Sequence, residues 1–249
     1  MALPIVNREA ELARLHALAD AGGHRLALVT GRRRVGKTYL LANGWGDRAV
    51  FFFTASKTTS ELNRRQLVEA VAVWTGEDVR PEDYPTWRTV FRLLLELRVP
   101  DPLVVVLDEF QYLGDDEAGA VEVASELNAV WEAPRPERSF LMVLSGSAVR
   151  TMGALASGGG PLYDRFQWQG KLRPFGYRHA AELAGVDDLR ERALVYGVFG
   201  GTPRYLADID PDQTVAENAT RLLLDPGGEV RLLVETALEQ EEGLRDVAK

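Results

Sequence analysis

Residues 30–41 read TGRRRVGKTYLL and follow directly on the apolar run LALV at 26–29. Within this stretch, GRRRVGKT at 31–38 has the spacing G-x-x-x-x-G-K-[ST], with a buried strand before it and a helix opening at about Lys37. Gly31 and Gly36 let the main chain curl until successive N–H groups point inward as an anion nest. The helix that follows adds its positive N-terminal end. In such a loop Lys37 bridges β- and γ-phosphates as a point charge, and the Thr38 hydroxyl is placed to ligate Mg²⁺. The four specified positions coincide by accident in roughly one chain of this length per hundred. Phosphate binding is therefore favoured over a chance glycine-rich turn. The expected nucleotide contacts are Gly31, Arg32, Arg33, Arg34, Val35, Gly36, Lys37, Thr38 and Tyr39. The three arginines are expected to serve through their main chain, with side chains turned to solvent.

The run PLVVVLDEF at 102–110 is apolar on both faces, as an interior parallel strand requires, and it ends in Asp108–Glu109. An aspartate at the C-terminal end of a strand beside the loop steadies the Mg²⁺ shell. Glu109, where the strand is ending, turns toward the nucleotide to orient or deprotonate an attacking water. The alternative is a solvated carboxylate on a turn. SFLMVLSGSA at 139–148 is a further buried strand, and Ser145 or Ser147 at its end is placed to sense the γ-phosphate or hold the water; helix capping by Ser147 is the competing reading. No N-K-x-D motif for guanine occurs, which favours adenine.

Strand-like runs RLALVT, RAVFFFTA, PLVVVLDEF and SFLMVLSGSA alternate with helical stretches, and QWQGKLRP at 167–174 reads as an edge strand. The pattern predicts an α/β fold, a parallel sheet with helices on both faces. A glutamate directly after the aspartate, with room for another strand and two helices between the motifs, suggests an extra strand inserted between the two motif strands. Asn7 is expected to cap the helix that begins NREAEL. After Pro174 every stretch is helix-like. The predicted division is an α/β domain over 1–173 and a small helical, lid-like subdomain over 174–249.

Composition bounds the partners. Hydrophobic residues make up 46% and charged residues 27%, the profile of a packed globular chain rather than a disordered one. The absence of cysteine excludes disulfides and thiol nucleophiles. A net charge of −8 argues against binding nucleic acid through the overall field. Runs such as LVVVL are too short to span a bilayer, and MALPIVNREAEL lacks the features of a signal peptide. A cytoplasmic protein with no membrane partner is the expectation. His16, His24 and His179 show no metal-ligand spacing.

With these residues assembled, the chain resembles the archaeal-type ATPase family of the STAND branch of AAA+-related P-loop NTPases. IVNREAEL at 5–12 is similar to that group's N-terminal box, with Asn7 where the family has glycine. GRRRVGKT, LDEFQYL and LSGS resemble its phosphate loop, acidic strand and sensor strand. PLYDRF at 161–166 resembles Pro-Leu-Tyr-Gly-Arg, with Asp164 at the glycine, and GGTPRYL at 200–206 resembles Gly-Gly-x-Pro-x-Tyr-Leu.

The resemblance implies that Asn7, Arg8 and Glu9 lie near the adenine, that Pro203 packs on the base, and that Arg165 contacts the γ-phosphate, in cis or from a neighbouring subunit. For each there is a plainer role: a helix start for Arg8 and Glu9, a helix opening for Pro203, a carboxylate pair for Arg165. It also implies a further C-terminal domain past LRDVAK, where the sequence stops, so a trimmed chain or a short member is expected. The function expected is Mg²⁺-dependent ATP hydrolysis driving a conformational switch, slow without a protein partner or a homo-oligomer. MgATP between sheet and helical domain would hold both in one orientation. The alternatives are a DNA-associated ATPase and a module that holds nucleotide without hydrolysing it.

Overall fold

The computed structural model describes residues 5–132 and 138–240. Contacts divide the chain into two compact units. The larger runs from Arg8 to Arg33 and from Lys37 to Leu172. The smaller takes residues up to Asn7, Arg34–Gly36, and the chain from Arg173 onward.

The larger unit is built on five parallel strands: β1 (His24–Thr30), β2 (Ala49–Thr54), β3 (Leu103–Asp108), β4 (Phe140–Gly146) and β5 (Trp168–Lys171). Their order across the sheet is β2-β3-β4-β1-β5. β4 thus lies between β1, which feeds the phosphate loop, and β3, which carries the acid pair. This is the inserted strand that the Asp-Glu pair suggested, and QWQGKLRP supplies the edge strand β5. Parallel pairing demands long crossovers. A helix α1 (Glu9–Asp20) precedes β1, and the crossovers carry α2 (Lys37–Asn43), α3 (Ser60–Thr75), α4 (Trp87–Glu96), α5 (Glu117–Trp131) and α6 (Val149–Ala156).

The inner strands β3 and β4 are buried on both sides, which is why they read as unbroken apolar runs. Leu26, Leu28, Phe51, Val105, Leu107, Met142 and Leu144 face one core. Leu67 and Val71 of α3, Phe91 and Leu94 of α4, Leu127 of α5 and Leu155 of α6 pack into the same core. The alternating residues Ala27, Val29, Val104, Val106, Leu141 and Val143 are equally buried, and α1 lies against β1 and β4. Burial of each large side chain such as Phe91 stabilises by about 1.5–3 kcal/mol. Caps set several helix starts: the Thr59 hydroxyl accepts from Leu62 N, and Thr86 forms a reciprocal capping box with Thr89.

α1 differs from the sequence reading. Arg8, not Asn7, occupies its N-cap position, and no side chain among the described residues caps it. Asn7 adopts φ 50° instead. Asp164 is also left-handed, at φ 59°. These are the two positions where the resembled family has glycine. Asn and Asp are the residues that best tolerate this conformation after glycine, so both departures keep the backbone turn.

The smaller unit holds α7 (Tyr177–Leu183), α8 (Leu189–Phe199), α9 (Pro203–Leu206), α10 (Val215–Ala219) and α11 (Glu229–Gln240). A π-helical turn at Thr220–Leu224 continues directly from α10. Its core gathers Phe175, Ala180, Val195, Phe199, Leu206, Leu222 and Val230. Val6 joins that core, which is why the first residues group with the helical unit. The expectation of 1–173 and 174–249 assigned both the N-terminal residues and Arg34–Gly36 to the α/β part. Residues 241–249 of that expected helical part lie outside the described residues.

Candidate functional site

β1 ends at Thr30, β3 at Asp108 and β4 at Gly146, and the pairing register aligns these ends. The C-terminal edge of a parallel sheet is where strand termini and helix starts converge on a ligand. α2 begins at Lys37 on the far side of the loop. Loop curvature comes from Gly36 at φ 91° and from Arg34 at φ 70°, so a non-glycine residue shares the left-handed turn. Val35 between them is buried.

Lys37 is 4% exposed. Its Nζ donates to Gly31 O at 2.9 Å and to Arg32 O at 3.3 Å, and stands 4.0 Å from Glu109 Oε1. Burial pushes its pKa down, opposed by the charges of Glu109 and Asp108. The Thr38 hydroxyl donates to Asp108 Oδ2 at 2.6 Å, and Asp108 Oδ1 accepts from Glu109 N at 3.0 Å. Asp108 is wholly buried, whereas Thr38 is exposed. A hydroxyl and a carboxylate, both hard oxygen donors, suit Mg²⁺. No cluster of three or more His, Cys, Asp or Glu able to hold a metal occurs among the described residues.

Glu109 is left-handed, φ 52° and ψ 42°. This turn sends the chain into the 3₁₀ segment Phe110–Tyr112 and leaves the carboxylate at the strand end. Its Oε2 accepts from Ser147 N at 3.1 Å, from Ser147 Oγ at 2.7 Å and from Gln111 Nε2. Burial works to raise the Glu109 pKa. The hydrogen bonds from Ser147 and Gln111, with the Lys37 charge, outweigh it and hold the carboxyl below its ordinary value. Of the two serines that the sequence left open, Ser147 reaches Glu109. Ser145 is fully buried and its hydroxyl has no partner among the described residues.

The other expected residues divide. The Arg33 guanidinium donates to Tyr112 Oη at 2.6 Å. Arg34 belongs to the helical unit, where its guanidinium donates to Leu233 O and to Tyr205 Oη at 3.4 Å. Arg34 is half-buried rather than turned to solvent, a correction to the sequence reading; Arg32 and Arg33 are exposed. Tyr39 is half-buried in α2, its carbonyl accepting from Asn43. Arg8 is buried and stands 3.5 Å from Glu11. Pro203 opens α9, 3.9 Å from where a Cβ on Gly36 would lie.

Arg165 is elsewhere. It donates to Asn128 Oδ1 at 2.9 Å and pairs with Glu132. That end of α5 carries Trp131, whose ring packs on His24 and Phe140, the first residues of β1 and β4. Arg165 therefore sits at the strand starts, opposite the loop, in the carboxylate pair that was its plainer reading. Gln111 and Tyr112 were not among the expected site residues. Their signal was their position, two and three residues past Glu109.

Strand order, loop and acid pair together define a P-loop NTPase fold of the AAA+ kind. The chain belongs to a family described as an ATPase domain predominantly from Archaea, whose model matches residues 5–209. It is 24% identical over 208 residues to the uncharacterised protein MJECL04 of Methanocaldococcus jannaschii, covering 82% of this chain and 44% of that protein. The chain thus spans less than half the length of that relative. Among solved structures, the Walker-type ATPase PABY2304 of Pyrococcus abyssi matches with TM-score 0.61 and 21% identity over 96% of this chain and 73% of that one. The ORC2 protein of Aeropyrum pernix, solved in ADPNP–ADP complexes, matches at 0.59 and 18%, over 96% and 70%. The ORC1 protein of Aeropyrum pernix, solved with DNA, matches at 0.56 and 16%, over 82% and 58%. No helix among the described residues is long and apolar enough to cross a membrane.

Proposed function

We propose that the chain binds ATP with Mg²⁺ and hydrolyses it, and that the state of the phosphate loop is passed to the helical unit. The observation that carries this reading is the grouping of Lys37, Thr38, Asp108 and Glu109 at one strand edge. The phosphate loop's main-chain amides receive the polyphosphate, and Lys37 exchanges its loop carbonyls for phosphate oxygens. Thr38 and Asp108 would hold Mg²⁺, which when bound neutralises charge on the phosphate oxygens. Glu109 takes a proton from water as the water oxygen bonds to the γ-phosphorus. The bond from that phosphorus to the bridging oxygen breaks, and ADP leaves with its electron pair. Removing one charged donor from a phosphate site costs about 1.5–3 kcal/mol, so Lys37→Ala weakens ATP binding at least about tenfold in calorimetry. Glu109→Gln keeps binding but lowers phosphate release by roughly 10²–10⁴-fold. Phosphate release equal to the parent's from Glu109→Gln would instead favour a module that holds nucleotide without cleaving it.

The switch part of the reading is supported by Arg34. This loop residue is bonded to Leu233 O and Tyr205 Oη within the helical unit, so a loop rearranged around phosphate must carry or break those bonds. Asn7 and Pro203 are assigned to the adenine end on the family likeness alone.

A further inference from the structure

We infer that Gln111 is a positioning residue that, with Ser147, clamps Glu109 Oε2 and leaves Oε1 as the oxygen that takes the proton from water. The inference rests on the hydrolytic reading above. Three donors converge on Oε2: the Ser147 amide, the Ser147 hydroxyl and the Gln111 side-chain amide. Oε1 lies outside the clamp, 4.0 Å from Lys37 Nζ, on the side where the phosphate is to be received. A carboxylate held through one oxygen is fixed in rotation, and its second oxygen is then aimed.

Gln111 is suited to this task at one end only. Its Nε2 serves Glu109, while its Oε1 is buried with no hydrogen-bond partner among the described residues. A buried carbonyl without a donor is unfavourable, and an apolar side chain of the same length would avoid it. The amide cannot be turned round, because its oxygen would then face the carboxylate. Packing of the residue alone therefore does not account for a glutamine here; the bond to Glu109 does.

Gly146 supports the same conclusion from another strand. A Cβ added there would lie 2.4 Å from Gln111 Oε1 and 2.6 Å from Met152 Cγ. The glycine of LSGS thus makes room for the Gln111 amide. The left-handed turn at Glu109 and the 3₁₀ segment after it bring residue 111 back beneath the carboxylate two positions earlier.

The test uses Gln111→Met, which keeps length and removes the donor, and Gly146→Ala, which leaves residue 111 intact but crowds it. Both are expected to lower the kcat of ATP hydrolysis about tenfold while KM and calorimetric ATP affinity stay at parental values. Gln111→Glu, which lacks the donor and adds a like charge, is expected to fall further. Parental kcat in Gln111→Met overturns the inference. Should the parent bind MgATP but release no phosphate, the hydrolytic reading has failed, and a second measurement judges the clamp separately. Urea unfolding without nucleotide is compared for Gln111→Met, Glu109→Leu and the double variant. A clamp gives non-additive shifts in midpoint, and strict additivity overturns it. If Gln111→Met does not fold by circular dichroism, Gly146→Ala carries the kinetic test alone.

Discussion

The Thr38 hydroxyl donates to Asp108 Oδ2 at 2.6 Å across seventy residues of sequence, joining the first turn of α2 to the tip of β3. The bond places two hard oxygen donors side by side. Asp108→Asn and Thr38→Ala are each expected to weaken Mg²⁺-dependent nucleotide binding by roughly 10–100-fold. Calorimetric titration of ATP with Mg²⁺ and with EDTA checks this: the parent should bind more tightly with the metal, and the variants should lose most of that difference.

Arg34 offers a test of coupling between loop and helices. Arg34→Ala removes charge-assisted bonds to Leu233 O and Tyr205 Oη, of the kind worth about 1.5–3 kcal/mol. Amide exchange in α11 is expected to accelerate, and the response of that exchange to added ATP to shrink. Arg34→Gly also lacks the guanidinium but adopts φ 70° without strain, so it should be more stable than Arg34→Ala by about 1 kcal/mol.

Asp164 separates backbone need from side-chain chemistry. It is exposed, and its left-handed φ of 59° suits glycine better than alanine. Asp164→Gly should leave thermal stability unchanged or raised, whereas Asp164→Ala should lower it by about 1 kcal/mol. Equal melting temperatures for the two variants would contradict the assignment.

Phe91 measures how far the sheet depends on α4. It is wholly buried, and its ring stacks on Trp87 at 5.7 Å. Phe91→Ala is expected to destabilise the fold by about 3–5 kcal/mol in denaturant titration. The nucleotide site should be affected only through the unfolded fraction.

Much of this molecule was written in short-range pattern. Apolar runs such as LVVVLD specify an interior strand because side chains alternate faces and both faces must be apolar when helices cover the sheet. GRRRVGKT specifies its own loop because curvature and charge there depend on residues within seven positions of one another. Both motifs were therefore legible, as was the extra strand between them.

The partners of the candidate site residues were not. Glu109 meets Ser147, thirty-eight residues away, only because β4 lies beside β3 in a given register. Arg165 joins Glu132 at the strand starts, and the direction of its side chain depends on where α5 ends. Arg34 turns into the helical unit through a left-handed backbone that its residue type disfavours. Local propensity acts over a turn of helix or a few strand residues, so it selects elements and loops. Which side chains meet is decided by sheet order, register and packing, and those exist only once the whole core is buried.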